Sequence, residues 1–142
     1  MNFTRVALAA VAAWALYLGI SYLVHGVLLR DIYMQYASVM RPEAEANAIL
    51  PLGFIFALVG FFAFAYAYAK GYEGASGLQE GLRFGVIVGI LLCAFSAIWD
   101  YMVWPIRAGL LFAWLIDNIV EFAIYGIVVG AIYKPAAAPL RR

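Results

Sequence analysis

The sequence is poor in charge, in cysteine and in histidine, and each shortage excludes a class of protein. Only 12% of its 142 residues are charged, whereas a soluble domain carries about 25%. Its one cysteine, Cys93, excludes an intrachain disulfide and any site built from several thiolates. The formal net charge is +1 and there is no long basic run, so we expect no nucleic-acid partner.

Apolar residues fill the remainder, at 68% of the chain with a mean hydropathy of +0.95. This composition predicts an integral membrane protein in contact with the lipid bilayer. A membrane-spanning helix needs about 20 consecutive apolar residues, and four segments qualify, at about 6–29, 50–70, 83–105 and 109–133. We therefore predict an all-α membrane protein with four transmembrane helices in an antiparallel up-down bundle. The whole chain, residues 1–142, would form one domain with a flexible tail at 135–142.

Residues 30–50 form the longest predicted connection and contain a segment with helical spacing of apolar side chains, which would lie on the membrane surface. Pro42 suits the first turn of a helix, so the second span is expected to start early, with a kink at Pro51. Ile55–Tyr72 and Ile116–Tyr133 can be aligned with each other, which raises the possibility of two related hairpins.

The distribution of positive charge indicates the orientation, because cytoplasmic segments are enriched in lysine and arginine. One predicted side carries Arg5, Lys70, Arg83, Lys134, Arg141 and Arg142, and the other carries Arg30, Arg41 and Arg107. The excess places both termini in the cytoplasm.

Glycines recur at intervals of four in the third and fourth spans. They are Gly81, Gly85, Gly89, Gly126 and Gly130. Small residues at this interval let two helix backbones approach closely. The contact would lie inside the bundle or in a homo-oligomer or larger membrane complex.

Polar residues inside the spans are the strongest functional signal. Asp117 and Glu121 are four residues apart and so share one helix face, at a depth where each ionised carboxylate costs a few kcal/mol or more. Under the predicted topology, His25 and Asp100 lie about 7 Å from the same end of their helices, near the level of Asp117. Ser96 and Asn118 lie beside this group.

Several interpretations of the cluster remain open. Intramembrane acids with a histidine are typical of proton or ion paths, and a pocket for a small ligand would use the same groups. His25, Asp100, Asp117 and Glu121 are also ligand types for manganese, iron or zinc, although no Glu-x-x-His or His-Glu-x-x-His motif is present. In a purely structural alternative, His25 pairs with Asp100, while Asp117 and Glu121 are protonated or bonded to a tyrosine, a tryptophan or Asn118.

The leading hypothesis from the sequence is therefore a small membrane protein that binds or transports a ligand, proton or ion. The alternative is a non-catalytic accessory subunit that docks on a larger complex through its glycine faces. A metal-dependent enzyme ranks third, because no nucleophile occurs in a recognisable catalytic setting, and the sequence assigns no cofactor.

One short stretch, RPEAEANAILP, resembles the arginine–asparagine–proline pattern of membrane-associated four-helix enzymes of eicosanoid and glutathione metabolism, at Arg41, Asn47 and Pro51. Leu50 stands where that pattern has an acidic residue, and the fourth span carries carboxylates instead of that family's basic and tyrosine residues, so no membership follows. In architecture the chain resembles small four-span bacterial membrane proteins, which implies a bacterial inner membrane location.

Overall fold

The computed structural model describes residues 1–133, and within that range it consists of helices and their connections, with no strand. The helices are α1 (Phe3–Leu28), α2 (Arg30–Met34), α3 (Glu43–Gly71), α4 (Gly77–Val103) and α5 (Ala108–Ile132). All except the short α2 are long and apolar enough to cross a membrane. The prediction of an all-α membrane bundle is thus confirmed, while the predicted tail at 135–142 lies outside the described residues.

Large apolar side chains cover the outside of the bundle, as expected for helices that face lipid. Phe56 in α3 is 68% exposed and Phe95 in α4 is 76% exposed. No aqueous surface tolerates so many exposed large apolar residues. The exposed apolar surface and the four long helices together identify an integral membrane protein.

Two helices begin earlier than the predicted apolar spans. Pro42 precedes the first residue of α3, and Glu43 and Glu45 occupy its first turn, where the positive end of the helix dipole favours carboxylates. The early start predicted at Pro42 therefore describes α3 better than the apolar window that begins at residue 50. Pro51 lies within α3.

The early start of α4, at Gly77 instead of residue 83, depends on Glu80. This carboxylate accepts hydrogen bonds from the backbone N–H groups of Glu73 (3.0 Å) and Ala75 (2.5 Å). The connection between α3 and α4 is thereby limited to residues 72–76, because its backbone donors are held by the first turn of the helix that follows.

The glycines of α4 and α5 lie at the contact between these two antiparallel helices. Gly77 lies against Gly130, Gly81 against Gly126, Gly85 against Phe122, and Gly89 against Asn118. A Cβ atom added at Gly85 or Gly126 would overlap backbone atoms of the opposite helix. Only glycine permits this approach, so the α4–α5 hairpin is the closest helix pair in the bundle.

Helix α1 packs against both α3 and α5, which places it between them. Ala9, Ala10 and Ala13 are fully buried along its contact face, and the Trp14 indole N–H donates to the carbonyl oxygen of Phe54 in α3 (3.0 Å). The helices are therefore arranged in the spatial order α3, α1, α5, α4.

An apolar groove of ≈650 Å³ lies between α3 and α4, and it is lined by both helices, by Tyr17 of α1 and by Phe122 of α5. Helices α3 and α5 run in the same direction, and the Phe61 and Phe122 rings lie nearly parallel with centroids 6.5 Å apart. These two phenylalanines are a matched pair in the internal alignment. The hairpins nevertheless differ, since one is joined through alanines and the other through glycines.

An intramembrane polar cluster as candidate functional site

Two π-helical turns lie where the polar side chains gather. The last seven residues of α1, Tyr22–Leu28, are π-helical and contain His25. In α4 the segment Cys93–Ala97 is π-helical and contains Ser96. A π turn adds a residue to the helical repeat and so redirects the side chains around it, and such turns are frequent at functional sites.

The centre of the cluster is formed by His25 of α1 with Asp117 and Glu121 of α5. The His25 Nε2 atom is 3.3 Å from Asp117 Oδ2. Each of the three residues offers one nitrogen or carboxylate oxygen that lies within 4.8 Å of the other two. The His25 side chain is 38% exposed, that of Asp117 is 13% exposed, and Glu121 is 6% exposed, so burial increases along the line from His25 to Glu121.

Glu121 has an incomplete set of hydrogen bonds. Its Oε2 atom accepts from the hydroxyl of Tyr125 (2.7 Å), whereas its Oε1 atom is buried without a partner in the described residues. Glu80 is equally buried, at 6% exposed, yet both of its oxygens accept backbone N–H groups. An unpaired buried acceptor is costly. The contrast therefore indicates that Glu121, unlike Glu80, has a role other than completing the hydrogen bonds of the fold.

Tyr33 of α2 holds the His25 ring from the opposite side. Its hydroxyl is 2.7 Å from His25 Nδ1 and accepts a hydrogen bond from the Trp114 indole N–H (3.0 Å). An indole can only donate, so the hydroxyl keeps one lone pair and its own proton for His25. Burial raises the pKa of the Tyr33 hydroxyl, which keeps the group a neutral phenol.

A pocket of ≈300 Å³ leads to the cluster from the side of the bundle where α1 ends and α5 begins, termed here the outer side. It is lined by His25, Tyr33, Ser96, Ala97, Asp100, Trp114, Asp117 and Asn118. The structure therefore brings the predicted residues of three helices to one cavity, with Glu121 one turn deeper than Asp117.

The structural alternative drawn from the sequence agrees with the bond of Glu121 to a tyrosine, Tyr125, but its partner for His25 is wrong. Asp100 does not pair with His25. Its Oδ2 atom accepts a hydrogen bond from the Ser96 hydroxyl (3.3 Å), while His25 pairs with Asp117. Equal depth in the membrane was therefore not enough to predict the partner, because the rotation of each helix about its axis selects which side chains meet.

Aromatic side chains fill the bundle on the inner side of Glu121. Tyr125 is fully buried, and its ring centroid lies 6.2 Å from that of Tyr17, 5.1 Å from Phe61 and 5.5 Å from Phe122. These four residues form what we call the aromatic layer. The polar pocket reaches the cluster from the outer side, and the aromatic layer bounds it on the other.

Comparison with known proteins adds no assignment. No protein-family model matches the chain, and no curated protein or solved structure matches it. The function therefore has to be argued from the geometry of the cluster.

Sequence reasoning missed Tyr33 and did not assign a role to Tyr125. Tyr125 follows Glu121 by four residues, the spacing at which side chains meet on a helix, so a local signal existed. Tyr33 had none, because only the path of residues 29–42 over the end of the bundle brings it to His25.

The side chains of the cluster are chemically suited to binding a cation. Two carboxylates and an imidazole lie within reach of one another, and within residues 1–133 no lysine or arginine pairs with either carboxylate. The one thiol of the sequence, that of Cys93, is engaged elsewhere, since its Sγ donates to the carbonyl oxygen of Leu115 (3.5 Å).

Proposed function

We propose that this integral membrane protein binds a small cation, a proton or a metal ion, at His25, Asp117 and Glu121, and that the cation enters from the outer side. The observation that carries the proposal is the buried, unpartnered Oε1 atom of Glu121. A bound cation would give this oxygen the partner that the surrounding side chains do not supply.

The charge balance supports the same proposal. Asp117 and Glu121 would bring two negative charges into the membrane interior, where ionised groups are expensive. His25 can neutralise at most one of them. A divalent cation bound by both carboxylates and neutral His25, or a proton shared between the carboxylates beside protonated His25, would offset the charge without any rearrangement of the helices.

Entry from one side follows from the shape of the cavity. The pocket on the outer side is lined by polar side chains, whereas the aromatic layer packs around Tyr125 below Glu121. Transport across the membrane would require the aromatic layer to separate, so binding is the step that this conformation supports.

The accessory-subunit alternative loses the surface on which it depended. It assigned the glycine faces of α4 and α5 to a partner protein, but these faces pack against each other within the chain. An oligomer or larger membrane complex would therefore have to form through other surfaces, and both a homo-oligomer and a larger complex stay part of the proposal.

Orientation and location are part of the proposal. The excess of lysine and arginine on the side of the termini favours cytoplasmic termini, and the outer side would then face away from the cytoplasm. The proposal of a bacterial inner membrane rests only on the resemblance in architecture to small four-span bacterial membrane proteins.

The proposal can be tested by measuring thermal stability of the detergent-purified protein with sodium, potassium, magnesium, calcium, manganese or zinc ions, and on acidification. A cation that binds only the folded protein stabilises it by about 2.7 kcal/mol at 100 times its dissociation constant. We expect at least one cation to stabilise the wild type and to have no effect on Glu121→Gln.

Glu80→Gln is the matched control, because Glu80 is as buried as Glu121 but lies in the α3–α4 connection. It should keep the cation response of the wild type from a lower starting stability. If no cation and no acidification separates the wild type from Glu121→Gln, cation binding at this cluster is refuted.

A further inference from the structure

The ligand atoms of the cluster point to a specific class of cation. We propose that His25, Asp117 and Glu121 form a binding site for one divalent transition-metal ion, with Mn²⁺, Fe²⁺ and Zn²⁺ as the class. This inference rests on the proposed function, because it names the cation that the same site would take. The ligands would be His25 Nε2, one oxygen of Asp117, and Glu121 Oε1.

The donor set selects this class. Carboxylate ligands suit manganese, imidazole suits zinc and iron, and soft copper(I) prefers thiolates or thioethers. Calcium takes six to eight oxygen ligands, and magnesium keeps most of its waters, so neither matches a compact set of one imidazole and two carboxylates. Two carboxylates also match the charge of a divalent ion, which leaves a neutral complex in the membrane interior.

The spacing of the ligand atoms is close to that of a metal site. Ligands at 2.0–2.2 Å from a tetrahedral ion lie about 3.3–3.6 Å from one another, and His25 Nε2 is 3.3 Å from Asp117 Oδ2. The three ligand atoms lie within 4.8 Å of one another, so the widest pair would have to close by up to about 1.2 Å to reach the tetrahedral spacing. A change of this size is within the reach of side-chain rotation.

The surrounding hydrogen bonds suit metal ligation. A histidine that binds a metal through one nitrogen presents its other N–H to an acceptor, which fixes the tautomer and the ring orientation. Tyr33 supplies that acceptor at His25 Nδ1, 2.7 Å away, and its hydroxyl is held by Trp114. On the other side of the site, Tyr125 donates to Glu121 Oε2 and so leaves Oε1 available to the ion.

The pocket leaves room for the remaining coordination positions. The three protein ligands do not complete a tetrahedral or octahedral shell, and the cavity of ≈300 Å³ on the outer side can admit water. Asp100 lines this cavity but its carboxylate is engaged by Ser96. We assign Asp100 no direct bond to the ion.

The test is a titration of the metal-stripped, detergent-purified full chain with Mn²⁺. Binding is monitored through the loss of the free-ion signal in electron paramagnetic resonance, and Zn²⁺ is then added as a competitor. We expect one ion per chain and displacement by Zn²⁺. Glu121→Gln and His25→Ala should each weaken binding by more than the roughly 10- to 100-fold typical of outer-shell changes, and Tyr33→Phe by about 10- to 100-fold. Glu73→Gln is the control: it removes an exposed carboxylate in the α3–α4 connection at the other end of the bundle and should change the affinity by less than about threefold.

Helical circular dichroism and a monodisperse elution profile establish that each variant is folded, and Asp117→Asn replaces Glu121→Gln if the latter does not fold. The absence of stoichiometric Mn²⁺ or Zn²⁺ binding to the wild type would overturn the metal proposal. So would binding that Glu121→Gln and Asp117→Asn leave unchanged. If the wild type binds neither ion but another cation or acidification still stabilises it through Glu121, the metal inference fails while the proposed function stands.

Discussion

Replacement of Gly126 by alanine tests the closest helix contact in the protein. Gly126 lies in α5 against Gly81 and Gly85 of α4, and an added Cβ would lie 2.9 Å from both the Cα and the N atom of Gly85, in addition to overlapping the Gly81 carbonyl oxygen. Carbon atoms in contact prefer about 3.5–4.0 Å, so clearing Gly85 alone would separate the helices by about 0.6–1.1 Å, and clearing the Gly81 carbonyl oxygen requires more. All of the opposing atoms belong to the backbone, and no change of rotamer can relieve the overlap.

The expected magnitude follows from this enforced separation. Overpacking of a well-packed contact costs about 1–3 kcal/mol, and the loss here should lie at the upper end because the whole hairpin must shift. Gly60→Ala is the matched control: Gly60 is also helical, but an added Cβ meets nothing within 4 Å, so only the helix propensity changes, by up to about 1 kcal/mol in favour of alanine. Gly126→Ala gains the same propensity, because Gly126 is also inside a helix, so that term cancels. The two alanine variants should therefore differ by the overpacking cost alone, about 1–3 kcal/mol in free energy of unfolding, with the value at the upper end.

The assay is equilibrium unfolding in mixed detergent micelles, with the loss of helical circular dichroism as readout. The double variant Gly126→Ala, Gly85→Ala should lose less free energy of unfolding than the sum of the two single losses, because one separation of the helices accommodates both methyl groups. Equal stability of Gly126→Ala and Gly60→Ala would show that α4 and α5 do not approach as closely as described, and the glycine argument would fail.

Two further predictions concern hydrogen bonds that join neighbouring elements, and both are measured by the same unfolding assay. Glu80→Gln should lower the stability by about 1–3 kcal/mol. Glu80 accepts hydrogen bonds from two backbone N–H groups, and in the variant one of these groups would face the amide NH₂ group and lose its acceptor. Glu73→Gln removes only an exposed ion pair with Arg83 and should leave the stability nearly unchanged. Trp14→Phe should cost about 0.5–1.5 kcal/mol through loss of the bond to the Phe54 carbonyl, and no change would mean that this bond does not hold α1 against α3.

Much of the fold could be predicted because it depends on local properties of the chain. Length and apolar composition are sufficient to recognise four membrane-spanning helices, since lipid accepts only segments whose backbone is internally hydrogen-bonded. The starts of α3 and α4 were less accessible, because Glu43, Glu45 and Glu80 extend these helices with polar residues that an apolar window excludes. Pro42 marked the start of α3, whereas the start of α4 depends on bonds from Glu80 back to the preceding connection.

The candidate site could be predicted in part. Asp117 and Glu121 stood out because carboxylates are rare in membrane spans, and the depth argument placed His25 and Asp100 at a similar level. Depth could not distinguish His25–Asp117 from His25–Asp100, because that choice depends on the rotation of each helix and on the π turn that carries His25.

The sequence by itself therefore determined three properties: the number of spans, their antiparallel order, which brings the first and last spans' terminal ends to one side of the bundle, and the presence of acidic groups within the membrane. These properties follow from composition and from the 3.6-residue repeat of a helix. Only the tertiary structure decided that the glycine faces of α4 and α5 meet each other, that Tyr33 closes over His25, and that one oxygen of Glu121 remains without a partner. Those outcomes depend on helix rotation and on the path of a connection, which are set by packing among residues far apart in the chain.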